Sequence, residues 1–536
     1  MTVSIVKIFP PIGIARLGNS TDKFFIGPEI PGNHGPPPDD GLYRDSSFRI
    51  KRQAARFRLF GYEAGASEAH EIKQADVDGI KWTVKLANTK AASEVFGRGV
   101  NDRDHPHPTW LRNAGIQDRD SLKITPGSRT LDGPNQSATF DTGTFRGRDN
   151  KVFLGEIKTD AENRLIVLGG LGKSGPDGTD LTKMSPGGDF ADHDDWYDDI
   201  SDGPVQASVL LKGTDAWIEA SAAWVICAPP KFAPQIEHII TLYDTLLQMA
   251  IDKLGLNLSS GKPSFTKDVY PILLRAMNMK WLTKKAAKAH SGPVSAFDSV
   301  LPRPGPDTDD QVLTRNLIFK RLRDPSTKEN ELPEKPKQDM PRIWSDRYKV
   351  DKGTKIPINK ALTKYQYHIL EQWKKKDGFE NDWEHQPSPE TEITPEGLTR
   401  AALENCIGGA FYPGIETSFM IRDDYIFVEP FRLDSSKLEA GDLTKQMAVP
   451  WQTDFLECAT ENGEGASYEL DWWPAQRPVD VFPAGPDPNA SRVAWDRGIN
   501  SSPDGIQNMH NMIRNWHKLG FVVQQGDLYV ETERLE

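Results

Sequence analysis

The sequence has few cysteines, no excess of basic residues and no long apolar run, and each of these absences excludes a class of protein. Three cysteines among 536 residues cannot form a disulfide framework, so a reducing compartment is predicted. A formal net charge of −12 argues against nucleic acid or an anionic membrane surface as a partner. No apolar stretch approaches the length of a membrane span, so no membrane partner is predicted.

The N-terminal segment is apolar but does not resemble a leader. Residues 1–9 lack the basic n-region and the small-residue cleavage site of a signal peptide, and Pro10 and Pro11 follow them directly. This pattern favours a first β-strand. The sequence therefore predicts a cytoplasmic protein.

Apolar periodicity predicts an α+β protein built from three consecutive parts. Residues 1–230 contain short apolar or alternating runs between long polar stretches, which indicates a β-rich domain with long loops. Residues 231–394 combine helical spacing with a stretch rich in Pro, Asp and Lys, which indicates a helical and extended covering segment. Residues 395–536 are mixed, and their last helix is predicted over about 505–519 with Trp516 facing inward. The pattern leaves open whether the three parts pack as one body.

Three polar motifs resemble binding sites without meeting their requirements. Residues 168–175 are rich in glycine, but Val167 stands where a phosphate loop needs glycine, so a simple turn is predicted. The acidic residues of 192–199 lack the spacing of an EF-hand, which favours a solvated loop, with a cation site as the alternative. His105 and His107 have no third metal ligand fixed by the sequence, which favours an exposed loop.

The pattern that points to chemistry lies in the C-terminal part. Pro450 suits the first turn of a helix, because its missing N–H would have no partner there. A helix that begins at Pro450 places Asp454 and Cys458 on one face, one turn apart. This arrangement puts an acid/base group beside a nucleophile. A hydrolase in which Cys406 or Cys458 pairs with a histidine is an alternative, and the plainest interpretation of Cys458 is a small buried apolar residue.

Six long segments carry a family resemblance that extends over nearly the whole chain. They are residues 11–19, 50–57, 196–204, 406–409 with 413–416, 441–458 and 472–478. The most specific is Gly-Asp-Leu-Thr-Lys-Gln-Met-Ala-Val-Pro-Trp-Gln-Thr-Asp-Phe-Leu-Glu-Cys at 441–458. Together they resemble the lysine ε-oxidase/glycine oxidase family, whose enzymes carry a cysteine tryptophylquinone made from their own side chains. The chain is shorter than the family members that it resembles, which leaves its substrate open.

The resemblance implies which side chains form the quinone. In that family a cysteine and a downstream tryptophan are joined, and an aspartate stands four residues before the cysteine. The matching positions are Cys458 and Asp454, with Trp516 as the matching tryptophan and Trp495 as the alternative. Asp454 is expected to serve as the base, both in catalysis and in formation of the quinone, and burial is expected to raise its pKa.

Three further residues are expected near the substrate. Cys406 matches a second position that the family places near the quinone, and Tyr197 matches an aromatic residue on the substrate side. His517 follows Trp516 directly, and because consecutive helical residues do not share a face, a peripheral position is predicted. No metal ligand is predicted.

The resemblance also implies an activity and partners. It implies an amino-acid oxidase that uses dioxygen to convert a primary amine to an aldehyde or oxo acid, with ammonia and hydrogen peroxide as the other products. A separate flavoprotein is expected for maturation of the cofactor, a homo-oligomer is expected, and export without a signal peptide remains open. The alternatives are a quinone-dependent amine dehydrogenase that passes electrons to a carrier, and a non-catalytic member with unmodified Trp and Cys.

Overall fold

The computed structural model describes most of the chain. The described residues are 3–32, 41–65, 68–96, 110–147, 151–176, 180–185, 188–258, 261–290, 301–302, 307–326, 340–341, 348–351, 354–357, 361–383, 392–408, 416–417, 419–462, 469–484 and 491–536. His105 and His107 lie outside them, as do residues 409–415 and much of the covering segment between 291 and 360. The exposed loop predicted for the two histidines therefore stays a prediction.

Strands dominate the N-terminal part, as its alternating apolar runs predict. They are β1 (Val3–Phe9), β2 (Ile12–Arg16), β3 (Phe24–Ile26), β4 (Arg52–Glu63), β5 (Ala69–Ile72), β6 (Val77–Lys85), β7 (Ser128–Asp132), β8 (Ser137–Thr139), β9 (Gly143–Thr144), β10 (Lys151–Val152), β11 (Gly155–Thr159), β12 (Leu165–Gly169), β13 (Ser174–Gly175), β14 (Tyr197–Asp198), β15 (Ser201–Leu211), β16 (Trp217–Glu219) and β17 (Ala223–Ala228). β6 shows the alternation clearly, since Ile80, Trp82 and Val84 are buried and Lys81 is exposed.

Thirteen of these strands form one mixed sheet. Its central order is β7-β6-β15-β17-β2-β4-β12-β11-β8, with β1, β3 and β5 paired to β4, and β16 paired to β15. β17 and β2 run parallel, and both are buried along their whole length, so they form the centre of the sheet. β13 and β14 pair with each other beyond the sheet, where β12 leads into β13 through a glycine-rich turn.

Eight α-helices lie within the described ranges of the middle and C-terminal parts. They are α1 (Leu242–Lys253), α2 (Tyr270–Asn278), α3 (Lys284–Ala289), α4 (Asp309–Phe319), α5 (Lys364–Trp373), α6 (Pro395–Glu404), α7 (Trp451–Glu457) and α8 (Gly505–Asn515). Threonine hydroxyls cap the N-termini of several: Thr241 caps α1, Thr308 caps α4, Thr363 caps α5 and Thr394 caps α6.

Short two-stranded pairs accompany these helices. They are β18 (Tyr348–Asp351) with β19 (Thr354–Pro357), β20 (Phe427–Glu429) with β21 (Arg432–Leu433), β22 (Thr460–Asn462) with β23 (Glu469–Asp471), β24 (Asp480–Val481) with β25 (Val493–Ala494), and β26 (Phe521–Gln525) with β27 (Leu528–Thr532). The α+β class, with a β-rich N-terminal part, a helical middle and a mixed C-terminal part, is confirmed.

One apolar cluster joins residues of all three predicted parts. It includes Leu17 from the first part, Phe232 and Trp373 from the second, and Trp451 and Trp516 from the third. The three parts therefore pack on a shared core. The domain boundaries predicted at 230 and 394 stay predictions.

Candidate active site

Helix α7 is the scaffold of the candidate site. It is short and buried along six of its seven residues, and Pro450 precedes it in extended backbone, one position before the place predicted from the sequence. The first helical N–H, from Trp451, donates to the carboxylate of Asp198 at 2.9 Å. Asp198 also pairs with the ammonium group of Lys90 at 2.5 Å, and both side chains are fully buried. An anion at the helix N-terminus favours this start of the helix.

Asp454, in the middle of α7, lies against Cys458, the residue that follows the helix. Cys458 caps the helix, and its backbone N–H donates to the carbonyl of Asp454 at 3.0 Å. The thiol also donates a hydrogen bond to the carboxyl group of Asp454, and both residues are buried. The spacing predicted from the sequence therefore places acid and thiol in contact, although the helix itself ends at Glu457.

Burial gives Asp454 an unusual acidity. Loss of solvent raises its pKa to about 7, and the negative charge of Asp189 adds to the rise, while the Cys458 hydrogen bond and the charges of Lys90 and Arg477 oppose it. The Oδ1 atom of Asp454 has no hydrogen-bond partner among the described residues. The carboxyl group can therefore gain or lose a proton near neutral pH, and it has one oxygen available for another group.

Trp516 lies at the end of the neighbouring helix. α8 ends at Asn515, and a 3-10 turn over Trp516–Lys518 replaces the last part of the helix predicted over 505–519. The Trp516 side chain is buried, and the ring of Trp451 packs edge-on against it with centroids 5.3 Å apart. α7 packs against α8, so Cys458 and Trp516 lie in one apolar cluster. A bond between them stays a prediction.

Trp495, the alternative partner for Cys458, is held by other contacts. Its indole N–H donates to the carbonyl of Gly520 at 2.9 Å. The ring of Phe232 packs edge-on against it at 4.9 Å, and the guanidinium group of Arg477 lies 5.5 Å from its centroid. These contacts favour a packing role for Trp495.

The three residues expected near the substrate lie in different surroundings. Tyr197 is half-buried on β14, with its ring 5.2 Å from that of Phe145. His517 is half-buried beside Trp516, and burial lowers its pKa. Cys406 lies in a different apolar cluster from Trp516, where burial and the charge of Glu416 raise its pKa well above the usual value. The expected place of Cys406 near the substrate stays a prediction.

The acidic segment 192–199 corrects an expectation. It was predicted to be solvated, but Asp192, Asp198 and Asp199 are buried. Asp192 pairs with Arg112 at 2.7 Å, just as Asp198 pairs with Lys90. Within the described residues no cluster of His, Cys, Asp or Glu side chains is suited to a metal ion. The segment is therefore part of the interior, where its carboxylates pair with cationic side chains and accept hydrogen bonds from backbone N–H groups.

Sequence reasoning missed several residues of this interior. Lys90, Asp198, Gln452 and Gly172 all lie around α7 or Trp516, yet none was assigned a role from the sequence. Gly172 and Asp198 fall in the stretches that were interpreted as a simple turn and a solvated loop. A signal was available for two of them, because Asp198 and Gln452 fall within the resembling segments 196–204 and 441–458. No helix in the described part of the chain is long and apolar enough to cross a bilayer.

Comparisons with known proteins agree with this architecture. Residues 9–227 match the family model described as L-Lysine epsilon oxidase N-terminal, and residues 345–474 match the L-lysine epsilon oxidase C-terminal domain. Asp454 and Cys458 lie within the second match and Trp516 lies beyond it.

Full-length relatives extend the match to the whole chain. The chain is 26% identical to L-lysine 6-oxidase of Marinomonas mediterranea over 685 aligned residues, which cover 99% of this chain and 89% of the relative. A crystal structure of the L-Lys epsilon-oxidase from Marinomonas mediterranea has a TM-score of 0.77 at 25% identity, with coverage of 99% and 94%. A structure of the Schiff base intermediate of the Marinomonas mediterranea enzyme with L-Lys has a TM-score of 0.77 at 24% identity, with coverage of 99% and 95%.

Proposed function

Since the chain belongs to the L-lysine ε-oxidase family, which makes it an oxidoreductase of the amino-acid oxidase class, we propose that it deaminates a primary amine with a quinone built from Cys458 and Trp516. One observation carries the proposal: the buried carboxyl group of Asp454 binds the thiol of Cys458 in the apolar cluster that also holds Trp516. An acid, a sulfur nucleophile and an indole ring are the groups that such a cofactor requires.

The side chains around Trp516 fit this cofactor in two respects. The unpartnered Oδ1 of Asp454 is buried, so one polar atom in the cluster lacks the partner that a cofactor or substrate would supply. Gly172 faces the six-membered ring of Trp516, and a Cβ at this position would lie 2.0 Å from Cζ2 of that ring. The absence of a side chain at Gly172 is therefore what allows the indole of Trp516 to occupy this position in the cluster. Cys458 and Trp516 would therefore hold the cofactor.

The residues of α7 supply the acid/base chemistry. When present, the quinone supplies an electrophilic carbonyl for the amine and accepts two electrons. Asp454 would remove the proton from the substrate carbon next to nitrogen, and its pKa of about 7 provides both protonation states at neutral pH. Trp451 and Phe455 pack edge-on at 5.0 Å beside it, and their burial keeps bulk water away from the reacting groups.

The proposed reaction consumes one amine, one dioxygen and one water, and yields one aldehyde or oxo acid, one ammonia and one hydrogen peroxide. Dioxygen takes up the two electrons removed from the amine. A separate flavoprotein is proposed to introduce oxygen into the Trp516 ring during maturation. Because the relative is named L-lysine 6-oxidase, L-lysine is the first substrate to test. Tyr197 is proposed on the substrate side, with Cys406 as a second candidate there.

Mass spectrometry of the mature protein tests this function. Trypsin places Cys458 in the peptide 446–492, since Pro478 blocks cleavage after Arg477, and it places Trp516 in the peptide 515–518. The cofactor joins these peptides and changes their summed mass by the gain of two oxygens and the loss of four hydrogens. Visible absorbance should accompany the link, and hydrogen peroxide should form when an amino acid is added in air.

Each other outcome identifies an alternative. Linked peptides with substrate-dependent reduction of a dye, but no peroxide, would indicate a dehydrogenase. Separate peptides of unmodified mass in protein from the native host would contradict the proposal and leave a non-catalytic member of the family. Alkylation of Cys458 by a thiol reagent in that protein would exclude the thioether.

A further inference from the structure

The glycine-rich turn after β12 lies directly against the indole ring of Trp516. Gly172 has φ +74, and a Cβ built on it would lie 2.0 Å from Cζ2, 2.7 Å from Cη2 and 2.8 Å from Cε2 of Trp516. All three are atoms of the six-membered ring, so the backbone at Gly172 contacts one edge of that ring. Any larger residue here would displace the indole, and the left-handed φ also favours glycine.

Helix α7 holds this turn through a single side chain. Gln452 is fully buried, its Nε2 donates to the carbonyl of Gly172 at 3.1 Å, and its Oε1 accepts from the hydroxyl of Ser174 at 2.6 Å. Gln452 lies two residues before Asp454 on the same helix. The position of the turn is therefore tied to the element that carries the acid and the thiol.

Asp199 also holds the turn. Its carboxylate accepts the backbone N–H of Lys173 at 2.9 Å and that of Leu171. A Cβ at Gly170 would lie 2.5 Å from the same carboxylate, so the backbone approaches Asp199 closely there as well. Its neighbour Asp198 binds the N-terminus of α7. Adjacent residues of one buried segment therefore position both the turn and the helix.

We propose that residues 170–174 are the positioning element for the indole of Trp516, with Gly172 in contact with the ring and Gln452 and Asp199 holding the element in place. The inference rests on the proposed function. A thioether and a quinone can form only where ring carbons are held within reach of Cys458, and a displacement of about 1 Å is enough to slow such a reaction strongly. The three atoms nearest to a Cβ at Gly172 lie along one edge of the ring, so Gly172 limits the movement of the ring in that direction.

Matched glycine substitutions test the inference in mature protein. Gly172→Ala is compared with Gly213→Ala, because Gly213 has φ +73 and open space where a Cβ would stand. The backbone strain is then the same, and only the collision with Trp516 differs. The linked fraction of peptides 446–492 and 515–518 should fall at least about tenfold in Gly172→Ala, and any remaining absorbance should be shifted. Gly213→Ala should have the same linked fraction and the same absorbance as the wild type.

A second variant covers the case in which Gly172→Ala does not fold. Gln452→Leu removes both hydrogen bonds to the turn without adding bulk, and Ser174→Ala removes only one of them. The linked fraction should fall in the order wild type, Ser174→Ala, Gln452→Leu, with thermal unfolding recorded for each variant.

The outcomes separate this inference from the proposed function. A wild-type protein with linked peptides, together with Gly172→Ala and Gln452→Leu proteins of the same linked fraction and spectrum, would overturn the inference and leave the function intact. If Gly172→Ala does not fold, the Gln452→Leu protein decides the matter. A linked fraction and a spectrum equal to those of the wild type would then overturn the inference and leave the function intact. A wild-type protein without linked peptides overturns the proposed function, and the inference with it.

Discussion

The ammonium group of Lys90 and the carboxylate of Asp198 form a fully buried ion pair, 2.5 Å apart, at the N-terminus of α7. Asp198 also accepts the N–H of Trp451, so the pair fixes the start of the helix that carries Asp454 and Cys458. The amide of Asn88 donates to the same carboxylate at 2.9 Å. This cluster therefore links the β-rich part of the chain to the candidate active site.

Removal of one member of the pair should destabilise the protein strongly. Lys90→Met leaves the charge of Asp198 buried without its cation, and the expected loss in the free energy of unfolding is about 3–5 kcal/mol. Denaturation in urea measures this change. The double variant Lys90→Met/Asp198→Asn should recover part of the loss, because no uncompensated charge remains.

An exposed ion pair provides the control. Lys85 and Glu439 lie 3.3 Å apart, with side chains that are 41% and 82% exposed. Lys85→Ala should change the free energy of unfolding by no more than about 1 kcal/mol. Equal effects of Lys90→Met and Lys85→Ala would show that the buried pair does not support α7.

Replacement of Asp454 should abolish most activity while the fold is retained. Asp454→Asn keeps the size of the side chain but cannot accept a proton, so the rate of peroxide formation should fall by about 10²–10⁴-fold. The linked fraction of the Cys458 and Trp516 peptides should also fall, because the same base is proposed for maturation. Peroxide assays and peptide mass spectrometry measure the two effects separately.

Glu457→Gln is the matched control for that variant. Glu457 lies on the same helix with an exposed side chain, so its substitution should leave the rate within about twofold of the wild type, as surface changes usually do. An Asp454→Asn enzyme as active as Glu457→Gln would exclude Asp454 as the base.

The Asp454–Cys458 relationship was predictable because it is local. A four-residue spacing on a helix brings two side chains together whatever surrounds them, and the long resembling segments gave that spacing a chemical meaning. The contacts that hold α7 are not local. Gln452 and Gly172 are 280 residues apart in sequence, and Lys90 and Asp198 are 108 apart. Nothing in the sequence near either residue identifies its partner.

The same reason explains the wrong expectation for residues 192–199. A dense acidic run is normally solvated, and its burial depends on cations supplied by distant elements, here Lys90 and Arg112. The glycine-rich stretch 168–175 was predicted to be a turn, but its ends belong to β12 and β13 and only residues 170–173 connect them. The contact of Gly172 with Trp516 joins residues that are far apart in sequence, so no local pattern indicates it. Local pattern thus predicted elements, and tertiary structure decided which of them surround the site.

The stability contributed by three buried aspartates should fall as the pH rises toward neutrality, whereas His238, whose pKa burial lowers to about 4, contributes with the opposite sign. Burial raises the pKa of Asp454 and of Asp199 to about 7, and that of Asp202 to about 6, compared with about 3.9 in an unfolded chain. Between these values the folded state binds more protons than the unfolded state, so the free energy of unfolding decreases with rising pH. Their contribution is complete below about pH 4 and is lost as the pH passes about 7.

Urea midpoints measured between about pH 5 and pH 8 check this trend. The side chain at position 454 does not titrate in Asp454→Asn, so over this range the midpoint of the variant should fall less, or rise more, than that of the wild type. Asp120→Asn removes an exposed carboxylate whose pKa is lowered by Lys123. The slope of its urea midpoint against pH should therefore equal that of the wild type. Identical slopes for Asp454→Asn and the wild type would mean that Asp454 does not take up a proton on folding.

Two tryptophan substitutions distinguish the proposed quinone position from its alternative. Trp516→Phe removes the ring that lies against Gly172 and Trp451, so the link to the Cys458 peptide and the visible absorbance should both disappear. Trp495→Phe removes a hydrogen bond to Gly520 and leaves that buried carbonyl unpaired, which should cost about 1–3 kcal/mol of stability. The Trp495→Phe protein should nevertheless keep the link. A linked Trp516→Phe protein, or a Trp495→Phe protein that folds without the link, would instead assign the cofactor to Trp495.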